Sequence, residues 1–316
     1  MITQLSGGRS GSSRREFLRH LASATALAAV MSPLVHASAA GNQQMAAPKK
    51  TLVGSNIYGW GQYAQRDKRQ LEVEEVLAAL RDAGYDYLEN FMNVDQPEAN
   101  ARFADQLKAK GMQPVSLYVG ARLHEADKAR AVVAKILTAA KVCQQAGFQV
   151  ISCNTDPIGR EKTEEELKTQ AAALTDLGAG LNALGLKLGV HHHMPEMANQ
   201  AREFHYNFQH SKPEVVGFCY DVHWVWKGGV APAEALRQYG DRVVTWHLRQ
   251  SRDRIWWEDL DTGDVDYAAV AQYAKEHNLP RRFTVELAIE NGTKITHSVV
   301  ENHRRSREFV RKVFEA

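Results

Sequence analysis

Cysteine is nearly absent from this 316-residue chain. Cys143, Cys153 and Cys219 are odd in number, widely spaced and form no CxxC pair, which argues against a disulfide-stapled scaffold. Cys153 and Cys219 lie inside apolar, strand-like runs and read as small buried hydrophobes. Excess charge of either sign is also missing. The formal net charge is +2, but Arg9, Arg14, Arg15 and Arg19 against Glu16 place +3 in the first 40 residues, leaving about −1 for the remainder. Such a near-neutral body has no electrostatic reason to seek nucleic acid. Long apolar runs are lacking as well. The run Leu21 to Val35 is shorter than the roughly 20 residues a bilayer span needs, and Ser and Pro interrupt it. No other segment is long and apolar enough, so no stable membrane association is expected. No internal repeat or low-complexity stretch follows residue 50, and 44% apolar with 24% charged residues allows one sizeable buried core.

What is present begins with Ser13-Arg14-Arg15-Glu16-Phe17-Leu18-Arg19, then the apolar run, then Ala37-Ser38-Ala39-Ala40. This order resembles a twin-arginine signal, which implies the twin-arginine export machinery as a partner and a periplasmic location. The expected organisation is a signal over residues 1–39, a polar linker over 40–49 and one domain over 50–316. That route carries folded proteins, so a metal would be loaded before export.

From Thr51 onward, short β-like runs alternate with helix-like segments. The strands are expected at Thr51–Tyr58, Tyr85–Phe91, Pro114–Val119, Phe148–Cys153, Leu186–His192, Val216–Val222, Val243–Leu248 and Phe283–Leu287. Helices are expected at Leu71–Ala83, Pro97–Lys110, Ala126–Ala146 and Thr163–Leu184, each followed by the stopping glycine Gly84, Gly111, Gly147 or Gly185. Eight strands in such alternation predict a single-domain α/β fold, the (β/α)8 or TIM barrel. The rival is an open doubly wound sheet. It would show a phosphate-cradling glycine turn after the first strand, and Gly54-Ser55-Asn56-Ile57-Tyr58-Gly59 is not expected to lead straight into a helix.

In such a barrel the working residues stand at the C-terminal ends of strands. The fifth strand ends in His191-His192-His193, the sixth in Asp221-Val222-His223-Trp224, the seventh in His247-Leu248-Arg249, and the eighth carries Glu286. Residues two apart share a strand face, so His191 pairs with His193, Asp221 with His223 and His247 with Arg249, while His192 points outward to the helices. Gathering these polar groups in an apolar mouth costs desolvation that a divalent cation would offset. Taken alone, each has an ordinary alternative: a hydrogen-bonded core His, or an Asp that caps a helix.

The stretches Leu188 to His193, Tyr220 to His223, Trp246 to Arg249 and Val285 to Leu287, in strand order over residues 51–316, resemble the xylose-isomerase-like barrel superfamily. That group includes sugar isomerases and epimerases, inosose dehydratases and metal-dependent apurinic endonucleases. The resemblance implies one metal held by Asp221, His247 and Glu286, where members use Asp, His and Glu on strands six to eight. On strand five many members place a Glu, and this chain has three histidines, similar to a His-Asn-His in some members. His191 is taken as the fourth ligand with His193 beside it, although His193 or Asn154 from strand four would also suit that position. Two nitrogen and two carboxylate donors suit manganese, zinc, iron or cobalt better than calcium or magnesium, with manganese preferred.

The chemistry the resemblance implies is enolisation: a cation polarises a carbonyl and a base removes the neighbouring proton. Base candidates are Glu196, His193 and His223, Glu196 having the alternative role of a first-turn helix residue. Arg249 either grips a substrate oxygen or pairs with a carboxylate. Trp60, Trp224, Trp226, Trp256 and Trp257 crowd the same end. Trp224, Trp226 and Trp257, with Asn154, are expected to contact a small saccharide through its apolar C–H faces. A periplasmic enzyme is suited to an unphosphorylated keto-sugar, such as a 3-keto-glycoside cleaved by elimination in the manner of a lyase. The alternatives are an isomerase or epimerase on free sugars, and a non-catalytic metal-containing sugar-binding protein. An endonuclease would need a basic groove and further histidines on early strands, which are lacking.

Overall fold

The computed structural model describes residues 50–315; the expected signal and linker lie outside the described residues. Eight parallel strands close on themselves: β1 Leu52–Asn56, β2 Tyr87–Phe91, β3 Ser116–Ala121, β4 Val150–Thr155, β5 Lys187–His191, β6 Val216–Asp221, β7 Val243–Leu248 and β8 Arg282–Val285. Each strand pairs with its sequence neighbours, and β8 pairs with β1 to close the ring. The expected (β/α)8 barrel is therefore the observed fold.

Local chemistry explains the elements. Thr163 and Glu166 form a reciprocal capping box at the start of helix Glu164–Ala183. Gly147, at φ +101°, ends helix Ala126–Ala146 in the left-handed conformation that other residues resist. The apolar faces of these helices, through Val133, Ile136, Leu174 and Leu177, pack into the one large core. Among the described residues no helix is long and apolar enough to cross a membrane.

Register positions the mouth. Asp221 lies level with His247 on β6 and β7, and Asn154 lies level with His191 on β4 and β5. Three connections differ from expectation. Helix Ile57–Arg66 follows β1 at once, capped by the Asn56 side chain accepting from the Tyr58 amide, so the absence of a helix after Gly54 was the wrong ground for rejecting a doubly wound sheet. Gly59 and Gly61 look like helix breakers in sequence, but Gly59 lies where a Cβ would sit 2.4 Å from the Leu287 carbonyl oxygen. Helix Val222–Lys227 follows β6 equally abruptly, capped by Asp221 accepting from the Trp224 amide at 2.7 Å. After β7, the two-residue strands Ser251–Arg252 and Ile255–Trp256 form a small antiparallel ribbon.

Candidate metal centre and its cavity

Four side chains meet at the barrel mouth, three from β5, β6 and β7 and the fourth, Glu286, from the residue just past the end of β8, which stops at Val285 rather than running on to Leu287. One ligand atom each from His191, Asp221, His247 and Glu286 lie within 4.8 Å of one another, and all four residues are buried. His191 Nε2 and Asp221 Oδ2 stand 3.3 Å apart, yet neither makes an aligned hydrogen bond among the described residues. Buried polar atoms left in that condition are costly unless something else engages them, and a divalent cation accepts this donor set.

His247 is held from both sides. Its Nδ1 lies 2.9 Å from Glu286 Oε2, and its Nε2 lies 2.8 Å from Glu89 Oε1 on β2. Glu89 is fully buried and receives Asn56 Nδ2 at 2.9 Å and Ser152 Oγ at 3.0 Å. Burial works against a charge on His247, but Cys219, Glu89 and Glu286 outweigh it and hold its pKa well above the usual imidazole value. Burial likewise opposes ionisation of Glu286, and Arg249 and His247 overcome it, holding that carboxyl well below its ordinary range. Sequence reasoning missed Glu89. Its signal was an acidic residue in the middle of the short strand Tyr87-Leu88-Glu89-Asn90-Phe91.

Above the cluster lies a cavity of about 300 Å³ whose lining includes His191, Glu286, His193, Asn154 and Arg249. Tyr118 lies on its wall and donates to Asn154 Oδ1 at 2.9 Å, with its hydroxyl 3.5 Å from His193 Nε2. Burial, aided by neighbouring His191, pushes the His193 pKa down to about 3. Of the two roles considered for Arg249, the structure shows the pairing with a carboxylate. One guanidinium nitrogen pairs with Glu286, the group lies 4.2 Å from the Trp256 ring centroid, and Nη1 is buried without a hydrogen-bond partner among the described residues.

Other sequence candidates stand elsewhere. Glu196 does not line the cavity: it is buried behind the loop after β5, where its Oε2 accepts from the His193 amide at 2.8 Å. Burial pushes its pKa up to about 7. His223 was paired with Asp221 by strand alternation, but β6 ends at Asp221, and His223 is carried on the following helix among Trp224, Trp226 and Trp256. It too is absent from the cavity lining, and burial pushes its pKa down to about 3. Of the tryptophans, Trp224 and Trp256 line the cavity. Trp226 does not and lies beside the Arg254 guanidinium, Trp257 stacks under Arg252 at 3.8 Å, and Trp60 is buried against His303 at 4.3 Å. His192 points outward, against Phe204 and Phe208, as alternation required.

Residues 77–313 match the family profile described as "Xylose isomerase-like TIM barrel". Two curated inosose dehydratases align with the chain. That of Geobacillus kaustophilus is 27% identical over 226 residues, covering 64% of this chain and 68% of the dehydratase. That of Clostridium tetani is 29% identical over 117 residues, covering 36% of this chain and only 39% of the dehydratase. Among solved structures, 3-keto-D-glucoside 4-epimerase from E. coli superposes with TM-score 0.62 at 15% identity, over 83% of this chain and all of the epimerase. The IolI protein with a bound zinc atom superposes with TM-score 0.65 at 16% identity, over 84% of this chain and 98% of the other. At these identities the structural likeness speaks for the fold.

Proposed function

Since the chain belongs to the xylose isomerase-like TIM barrel family, we propose that it is a metal-dependent enzyme that enolises an unphosphorylated keto-saccharide, with elimination from a 3-keto-glycoside as its reaction. The observation that carries this reading is the convergence of His191, Asp221, His247 and Glu286 at the floor of an aromatic-walled cavity. The names of the relatives, a dehydratase and a keto-glucoside epimerase, support keto-sugar chemistry.

A divalent ion held by these four residues, manganese being the first choice, supplies Lewis-acid polarisation of a substrate carbonyl and so acidifies the adjacent C–H. His193 stands beside His191, with ring centroids 4.7 Å apart, and is the base candidate that lines the cavity. Glu196 acts on the reaction through His193, by holding its backbone amide. Arg249 offers its unpaired Nη1 to a substrate oxygen, while its pairing with Glu286 and its contact with Trp256 fix its plane. Trp224 and Trp256 give the sugar ring an apolar wall that excludes water.

In a 3-keto-glycoside the base removes the C2 proton. The electron pair of that bond forms the C1–C2 double bond while the C1–O bond breaks, and the aglycone leaves as its alcohol after gaining a proton. The enone keeps the C3 carbonyl. Return of the proton to C2 instead gives epimerisation. We assign the protein to the periplasm on its Arg14-Arg15 segment, where unphosphorylated glycosides are met. The test is elemental analysis of protein purified after export, then α-proton exchange in heavy water with 3-keto-glycosides and free ketoses. Release of aglycone is the expected result. Exchange with free ketoses alone overturns the elimination, and exchange with neither overturns the enzyme reading in favour of a binding protein.

A further inference from the structure

Four large hydrophobic side chains stand exposed among the described residues, Tyr58, Phe91, Met194 and Ile255, and two of them, Tyr58 and Phe91, lie on the wall of one cavity. Tyr58 and Phe91 line the cavity themselves while remaining 47% and 53% exposed. Met194 follows the lining residue His193, and Ile255 precedes Trp256. Single exposed hydrophobes need no explanation, but two exposed aromatic rings that line the same pocket mark a surface kept apolar for a ligand.

The rim and the floor differ in kind. The floor is polar, with Glu286, Arg249, Asn154 and the two histidines. Phe91 ends β2 and Tyr58 sits in the first turn after β1, strands that stand across the barrel from β5 and β6. Rings connect the two zones. His191 meets Tyr118 edge to face at 5.4 Å between centroids, and Tyr118 meets Phe91 in the same way at 6.1 Å. A cavity of about 300 Å³ is at the small end of ligand sites, which run from about 300 to 1,000 Å³. One sugar ring on the floor leaves any attached group to emerge over Phe91 and Tyr58.

We infer that Tyr58 and Phe91 form an aglycone subsite, selecting glycosides whose leaving group is planar and apolar, such as an aryl group, over those with small or polar aglycones. The inference rests on the reading of the cavity as a saccharide site and adds the class of substrate. The aromatic faces give the attached ring area at little entropic cost, because both side chains are fixed by only two torsions each.

The experiment titrates phenyl and methyl 3-keto-β-D-glucopyranosides, by calorimetry, into the manganese-loaded protein and into a Tyr58→Ser/Phe91→Ser variant. Both positions are exposed, so the variant keeps its fold, checked by circular dichroism. The phenyl compound is expected to bind about tenfold more tightly than the methyl compound in the wild type. In the variant the ratio should fall to within about twofold. Equal affinities in the wild type, binding of neither compound, or a ratio that survives in the variant overturns the subsite. So does sedimentation showing a dimer that the variant loses, since the rim would then face a second copy of the chain. Proton exchange separates this inference from the proposed reaction. A phenyl preference without exchange sinks the enolisation and leaves the subsite standing, whereas exchange without a preference sinks the subsite alone.

Discussion

Glu89 Oε1 lies 2.8 Å from His247 Nε2, although the two residues come from β2 and β7 and are separated by the barrel interior. Asn56 and Ser152 hold the carboxylate in place, and Nδ1 of the same imidazole is left facing Glu286. A carboxylate on the far nitrogen fixes the orientation of a ligating histidine and raises its basicity. Glu89 is therefore a positioning residue for the centre. Glu89→Ala is expected to weaken metal binding by about 10- to 100-fold, measured by competition with a chelator, because His247 loses its orienting partner. Glu89→Gln, whose amide oxygen stays beside Nε2, should recover most of that loss. Equal affinities for wild type and both variants would remove Glu89 from the centre.

Asp221 has two separable duties. Its Oδ1 caps helix Val222–Lys227, while Oδ2 faces His191 in the cluster. Asp221→Asn keeps an oxygen for the cap and loses the charge, so the protein should retain its melting temperature without metal and fail to hold the ion through dialysis. Asp221→Ala should lose both, adding a destabilisation of about 0.5–2 kcal/mol for the missing cap. Elemental analysis and thermal melts without metal distinguish the two, and similar melts for Asn and Ala would mean the cap contributes nothing.

How far the site was legible in sequence depended on whether strand alternation held. It worked along β5 and β7, where His191 and His193 both reach the cavity and His192 turns outward, and where Arg249 joins Glu286 beyond His247. It failed at β6 because Asp221 already caps a helix, so the two-residue period stops there and His223 follows helical geometry instead. Asx capping competes with strand continuation, and nothing in Asp221-Val222-His223-Trp224 announces which prevails. Glu89 was illegible for another reason. Its partner lies 158 positions further along the chain, and only closure of the barrel brings the pair together. The fold itself rested on long patterns that local surprises such as helix Ile57–Arg66 did not disturb.

That unexpected helix contains a matched pair of glycines with opposite predicted behaviour. Replacing a helical glycine by alanine ordinarily stabilises by about 1 kcal/mol. At Gly61 the new Cβ would find its nearest neighbour, Leu71 Cδ2, at 3.9 Å, so Gly61→Ala should gain up to that amount. At Gly59 it would meet the Leu287 carbonyl oxygen at 2.4 Å, a backbone atom that cannot step aside. Overpacking of this kind costs about 1–3 kcal/mol and outweighs the propensity gain. Gly59→Ala should therefore lower stability in urea melts, and metal affinity with it, because Leu287 directly follows the proposed ligand Glu286. Equal stabilisation by both substitutions would show that the helix is not braced against the strand end.

Glu196 gives a pH test that leaves the proposed metal ligands untouched. Its folded pKa is pushed up to about 7 by burial, against an ordinary value near 4.5, while the His193 amide only partly compensates. Below about pH 4.5 the carboxyl is protonated in both folded and unfolded chains and makes no difference to stability. Between the two values the folded protein binds the proton more tightly, so raising pH through this window removes stability, by roughly 3 kcal/mol at most once above pH 7. Glu196→Gln keeps an oxygen for the His193 amide and cannot ionise. The variant's melting temperature should run close to wild type at pH 5 and rise above it progressively toward pH 8, with other titrations cancelling in the difference. Parallel curves for the two proteins would mean that the Glu196 carboxyl ionises as freely in the folded loop as in water.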